Sequence, residues 1–179
     1  IHFDHEKLTR LTNQLLSHAT VVHRGDAQQL SEINIELFIK QQLTELVRDN
    51  AHLDIEFALE CHVTDETVLG DTIILREALR NLIDNAIIHG GKGKLVKVTL
   101  DENMAAKTVD IIVEDAGPGI AEENRTKALD RFEKLGVHQK GSGLGLAIVN
   151  SAAITHSGHL SLLQSELGGL KVTLSIPVY

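Results

Sequence analysis

The chain has 179 residues, 42% of them hydrophobic, with a formal net charge of −8. That suffices for one buried core with length left for an appendage. No apolar run is long enough to cross a bilayer and no basic run could track a phosphate backbone, which argues against nucleic acid as a partner. Its single cysteine, Cys61, excludes an internal disulfide or a Cys-rich zinc site and fits a reducing compartment. The ten histidines are dispersed, and none stands in a His-Glu-x-x-His pair that would suggest a metal site.

In chain order, Leu8, Leu11, Leu15, Ala19 and Val22 fall three and four apart, one face of an amphipathic helix over about 4–24 that Gly25-Asp26 ends. So narrow an apolar stripe asks for a partner helix, as in a bundle or coiled coil, or for packing on its own domain. Ile33, Ile35 and Leu37 alternate like a strand, and a helix follows to Asn50. Leu53, Ile55, Phe57 and Leu59 alternate again. Asp71 is placed to cap a long helix that reaches His89, where Gly90-Gly91 stops it. Strands at 95–100 and 109–115 are joined by a polar turn, and residues 116–142 are polar and Gly-punctuated, with a helical patch at 122–132. A helix over 144–157 and a hairpin across Gly168-Gly169 complete the chain. The expected class is α+β: a two-layer α/β sandwich on a mixed, mostly antiparallel sheet, with an N-terminal amphipathic helix. Its organisation is residues 1–25 as an appended helix and 31–179 as the main domain. The chain begins Ile1-His2-Phe3 without Met or a cleavage pattern, so a piece of a longer protein is expected, with any membrane-spanning part upstream.

Three clusters carry chemistry. Glu77, Asn81 and Asn85 recur every four residues, a polar stripe on the long helix whose other face holds Leu79, Leu82, Ile83 and Ala86. Asn is a poor interior helix residue. The stripe is a solvated face, or its amides ligate Mg²⁺ through oxygen and donate to phosphate through NH₂. Asp115-Ala116-Gly117-Pro118-Gly119-Ile120 follows an apolar strand. It is an ordinary turn, or a carboxylate that accepts from an exocyclic amine such as that of adenine, with glycines that let the backbone approach a flat base. Gly141-Ser142-Gly143-Leu144-Gly145 precedes a helix and is a flexible helix entry or a backbone cradle for phosphate. It is neither a dinucleotide fingerprint nor a Walker A loop.

In this order and spacing the clusters resemble the GHKL ATPase/kinase superfamily and, within it, the sensor histidine kinases. Asn81-Leu-Ile-Asp-Asn85-Ala is similar to the family's N box, Asp115-Ala-Gly-Pro-Gly-Ile to its G1 box, Arg131-Phe132-Glu133-Lys134 to its F box and Gly141-Ser-Gly-Leu-Gly-Leu to its G2 box. The resemblance covers about 31–179. It implies the Bergerat-type sandwich, ATP with Mg²⁺, and a lid over the phosphates. Asn85 would be the Mg²⁺ ligand, Asn81 a phosphate contact and Asp115 the adenine anchor, with Gly117, Gly119 and Ile120 beside the base. Gly141, Gly143, Leu144 and Gly145 would meet the phosphates, with Lys134 or Arg131 over them. ATP-hydrolysing branches place a Glu where this chain has Asn81, and an amide is a poor general base, so transfer to a protein nucleophile is expected rather than hydrolysis.

Two positions depart from the pattern. Ile88 stands where the family often has a basic residue, which Lys92 or Lys94 would have to replace, and the last Gly-rich motif is reduced to Gly168-Gly169-Leu170. They favour an alternative reading, a degenerate nucleotide-binding or partner-docking module without transfer. Residues 8–16 resemble the second helix of the family's dimerisation hairpin, and His5 lacks the acceptor box around it. The resemblance therefore implies a phosphate acceptor outside this chain, homodimerisation through the hairpin, a response-regulator receiver domain as the next partner, and a cytoplasmic domain of a bacterial inner-membrane protein.

Overall fold

A computed structural model describes residues 5–27, 29–90, 95–129 and 144–179. The elements are α1 (His5–Ala27), β1 (Ser31–Asn34), α2 (Ile35–Asp49), β2 (Glu56–Cys61), β3 (Thr67–Gly70), α3 (Thr72–His89), β4 (Leu95–Asn103) and β5 (Thr108–Asp115). A 3-10 turn (Glu122–Asn124), α4 (Arg125–Ala128), α5 (Gly145–Thr155), β6 (His159–Gln164) and β7 (Leu170–Pro177) follow.

Five strands form one sheet in the order β2-β4-β5-β7-β6, in which only β2 and β4 are parallel neighbours. Period-two alternation sends Val96, Val98 and Leu100 of β4, Val109, Ile111 and Val113 of β5, and Val172, Leu174 and Ile176 of β7 to one buried face. Helices α3 and α5 supply the opposing layer through Ile74, Leu75, Leu79, Leu82, Ile83, Ile148 and Val149. Burying each such aliphatic chain contributes roughly 1.5–3 kcal/mol, and this continuous core is what fixes the two-layer sandwich expected from the sequence. Asp71 caps α3, its carboxylate accepting from the Ile73 and Ile74 amides at 2.9 and 3.1 Å.

Local differences from the sequence reading have physical causes. Helix α1 runs through Gly25 to Ala27; a Cβ at Gly25 would lie 2.7 Å from Thr155 Oγ1, so the glycine serves a close approach of α5 rather than a helix stop. The strand at Ile33 ends at Asn34, whose side-chain oxygen accepts from the Leu37 amide at 3.0 Å and starts α2 there. That puts Ile35 and Leu37 in a helix, Ile35 fully buried and Leu37 exposed. Strand β3, which pairs with β1 in a separate two-stranded ribbon, has too short an apolar pattern to stand out.

Helix α1 lies along α3 and α5. Val21 and Leu11 pack onto the core, whereas Leu8, Thr12, Leu15, Ala19 and Val22 are exposed. The expected apolar stripe is thus split: only part of it is covered within the chain. Two polar ties fasten α1 to α3. Arg24 Nε donates to Asp71 Oδ2 at 2.8 Å, and Ser17 Oγ donates to Glu77 Oε2 at 2.6 Å.

Candidate functional site

Asp115 is the last inward-facing residue of β5, occupying the position after Val109, Ile111 and Val113 where the alternation calls for another core side chain. It is accordingly 2% exposed. Its Oδ1 accepts from the Gly117 amide at 2.9 Å and the Leu170 amide at 3.2 Å. Both donors converge on that one oxygen and Oδ2 receives neither. Burial pushes the carboxyl pKa up, against the downward pull of these two backbone donors and of nearby His89.

Glycines allow this arrangement. A Cβ on Gly117 would fall 1.9 Å from the His89 carbonyl oxygen at the end of α3, and one on Gly169 would fall 2.1 Å from Asp115 Oδ1. Gly168 and Gly119 have φ of +101° and +70°, conformations that L side chains rarely adopt. The shortened Gly168-Gly169-Leu170 motif therefore keeps what Asp115 requires: a turn, clearance and a donated N–H. Gly169 and Leu170 are the residues sequence reasoning left unassigned, and the Gly-Gly pair was their signal. Ile120 packs partly buried against the core, and its carbonyl accepts from Arg125 Nε at 3.2 Å.

Helix α3 links this end of the site to the asparagines. At about 1.5 Å per residue, Asn81, Asn85 and Gly90 are spread over a length on the scale of an extended nucleoside triphosphate, and Gly90 lies beside Asp115. Asn85 is half-buried, and its amide has no hydrogen-bond partner among the described residues. Asn81 is 4% exposed, its Nδ2 donating to Ser17 Oγ at 3.1 Å and to the Glu77 carbonyl at 2.8 Å. Gly145, at the start of α5, sits beside it: a Cβ there would be 3.8 Å from Asn81 Oδ1 and 3.4 Å from Gln14 Nε2 of α1. Leu144 is fully buried before the helix. The first residue of α5 and Asn81 of the asparagine stripe are thus neighbours.

The Glu77 carboxylate is engaged by α1 and within α3: its oxygens meet Ser17 Oγ at 2.6 Å and Arg80 Nη1 at 3.5 Å. Arg131, Lys134, Gly141 and Gly143, together with Lys92 and Lys94, lie outside the described residues. No group of three or more His, Cys, Asp or Glu that could hold a metal exists among the described residues. A metal in this site would rely instead on amide oxygen and on a ligand's own oxygens, a donor set that suits Mg²⁺.

Residues 70–179 match the family described as histidine kinase-, DNA gyrase B-, and HSP90-like ATPase. The chain belongs to this family. Its similarity is to the sensor histidine kinases in particular. It is 30% identical over 178 residues to the sensor protein QseC of Escherichia coli K12, covering 98% of this chain and 38% of that protein. The solved ATP-binding domain of PrrB from Mycobacterium tuberculosis superposes with a TM-score of 0.68 at 28% identity, covering 84% of this chain and 98% of that one. Full-length ShkA, solved in complex with AMPPNP, superposes with a TM-score of 0.75 at 29% identity, covering 96% of this chain and 36% of that one. The chain spans well under half the length of the curated relatives it matches, 38% in the case of QseC. No helix among the described residues is long and apolar enough to cross a membrane.

Proposed function

We propose that the chain binds ATP with Mg²⁺ and transfers the γ-phosphate to a histidine on a dimerisation hairpin, most of which lies outside it. The observation that carries this reading is Asp115: a buried carboxylate with one oxygen accepting from two backbone donors and the other taking no hydrogen bond among the described residues, where a ligand's donor would meet it. An exocyclic amine such as that of adenine supplies such a donor. Asn85, a half-buried amide without a partner among the described residues, would hold Mg²⁺; when bound, the metal supplies positive charge against the phosphate oxygens.

Asn81 would contact a phosphate, and Gly141, Gly143, Leu144 and Gly145 would present backbone N–H groups to the rest. Arg131 and Lys134 would add positive charge from a lid. The imidazole nitrogen of the acceptor attacks the γ-phosphorus in line, the bond to the bridging oxygen breaks, and ADP leaves. The phosphohistidine then passes its phosphate to an aspartate of a response-regulator receiver domain. Asn81 is no general base, and the Glu77 carboxylate is engaged by Ser17 and Arg80, which disfavours hydrolysis.

In this reading residues 1–25 are one helix of the hairpin and 31–179 the catalytic domain. The parent protein is a homodimeric sensor whose catalytic part lies in the cytoplasm beside the inner membrane of a bacterium. The test is to mix the purified chain with MgATP and a separate hairpin that carries the acceptor, and follow acid-labile phosphate on the hairpin. Transfer is expected; ATP binding without transfer leaves a docking or nucleotide-sensing module in its place.

A further inference from the structure

We propose that helix α1 is a latch on the nucleotide site, closed by Ser17, that withholds Asn81 from phosphate and is displaced when nucleotide binds. The proposal rests on the nucleotide reading above and adds to it a residue that competes with the ligand.

A side-chain amide carries two N–H donors. In Asn81 both are occupied, one by Ser17 Oγ at 3.1 Å and one by the Glu77 carbonyl at 2.8 Å. The second bond belongs to the helix itself, one turn back. The first crosses to another element, and it is the one a phosphate oxygen would have to replace. Ser17 is held in place to accept it, because its own proton goes to Glu77 Oε2 at 2.6 Å. Ser17, Glu77 and Asn81 therefore form a closed relay: hydroxyl to carboxylate, amide to hydroxyl. Ser17 is 8% exposed and Asn81 4%, so water has little access to these bonds, although both residues border the cleft between α1 and α3.

The neighbourhood shows that this contact is not comfortable throughout. Gln14, one turn before Ser17, lies over Gly145 at the start of α5, and its Oε1 is buried without a hydrogen-bond partner among the described residues. A buried orphan acceptor disfavours the docked position. A cleft of about 320 Å³ remains between α1 and α3, lined by Asn13, Ser17, Glu77, Arg80, Asn81 and Asp84. Before Val21, which is buried in the core, α1 is held by the partly buried Leu11 and a few polar bonds beside an orphan acceptor and an open cleft, so this stretch can leave. At its far end the Arg24–Asp71 pair keeps α1 tied to the capping residue of α3. Release at Ser17 thus amounts to a swing about that end.

With α1 docked, Asn81 is unable to reach phosphate, and apparent affinity is the intrinsic affinity multiplied by the undocked fraction. Removing the hydroxyl leaves Asn81 and Glu77 without their partner only in the docked state, so it shifts the balance toward the competent one. Titration of the full chain with MgATP should therefore show Ser17→Ala binding roughly threefold to tenfold more tightly than the wild type, with Ser17→Thr, which keeps a hydroxyl, close to the wild type. A merely structural Ser17 would lower stability and leave affinity unchanged or weaker. In hydrogen exchange of the wild-type chain, MgATP should speed exchange of the α1 amides around Ser17, a readout that needs no variant to fold.

Equal affinity of Ser17→Ala and wild type, or α1 exchange unchanged or slowed by bound MgATP, overturns the latch while leaving the nucleotide site standing. No binding heat from any form overturns the nucleotide reading, and the latch with it.

Discussion

Gly169 lies so near Asp115 that a Cβ on it would sit 2.1 Å from the carboxylate Oδ1. The loop before β7 is thus shaped around that carboxylate, its next residue, Leu170, donating an N–H to the same oxygen. Gly169→Ala must push the two apart. Overpacking of this kind costs about 1–3 kcal/mol, so the variant should melt earlier and bind MgATP more weakly, by differential scanning fluorimetry and titration respectively. Retained affinity at a lowered melting temperature would place the ligand's donor elsewhere.

Asp115→Asn separates the two demands on that side chain. The amide oxygen can keep the Gly117 and Leu170 bonds, but the NH₂ group then faces a ligand that also donates. Loss of a charged hydrogen bond and exposure of an unpaired donor together amount to about 3 kcal/mol, on the order of a hundredfold in affinity. Ligand-free stability should move the other way. The carboxyl pKa is raised by burial, so the fold disfavours the charged form of this side chain. The neutral isostere relieves this, and its melting temperature without nucleotide should rise. A site residue that stabilises the fold when neutralised is one held for its ligand.

His156 sets a pH dependence at the opposite end of α3. Its Nε2 accepts from the Asp71 amide at 3.1 Å, which a protonated ring cannot do, and Nδ1 meets the Ala152 carbonyl at 2.7 Å. Burial lowers its pKa below the usual 6.5, partly opposed by the Ala152 contact and the Asp71 charge. Between the folded and unfolded values the unfolded chain binds more protons, so stability is complete above about 6.5 and falls as pH drops toward the folded value. Urea unfolding at pH 7.5 and 5.5 should show the loss, and His156→Gln should reduce it. The comparison with the variant matters because Asp115 and Asp84, both raised by burial, contribute with opposite sign.

The parts of this architecture written in local pattern were legible beforehand. Asp71 before an apolar-periodic run marked the start of α3, and the apolar strand over 109–115 placed the Asp115 carboxylate at a strand end. What stayed hidden depends on contacts between distant segments. Gly25 reads as a helix stop until Thr155 is seen against it. Nothing near Ser17 in sequence indicates its contacts with Glu77 and Asn81, and the backbone donors that hold Asp115 come partly from Leu170, 55 positions on.

Asp71 joins three elements, since its carboxylate caps α3 and takes Arg24 of α1 while its amide meets His156, the residue that ends α5. Asp71→Ala should remove about 1–2 kcal/mol for the cap and about 1 kcal/mol for the partly exposed Arg24 pair, shifting the urea midpoint accordingly. Arg24→Ala should lose only the second part. If the two variants prove equally destabilised, the cap contributes nothing and the pair carries the whole effect.

The exposed side of α1 gives the last prediction. Leu8, Thr12, Leu15, Ala19 and Val22 are spaced four and three apart, and the three large residues are 53%, 44% and 40% exposed. This is the a/d spacing of a two-helix seam, on the side of α1 turned away from α3 and α5. Were the helix merely a strap on its own domain, these positions would have no reason to be apolar. Leu8→Lys with Leu15→Lys should therefore abolish assembly with a separate dimerisation hairpin in analytical ultracentrifugation, while titration with MgATP stays within a factor of about two of the wild type, because neither side chain contacts the site. Loss of nucleotide binding along with assembly would mean that this face also supports the pocket, and normal assembly would show that the seam lies on another face.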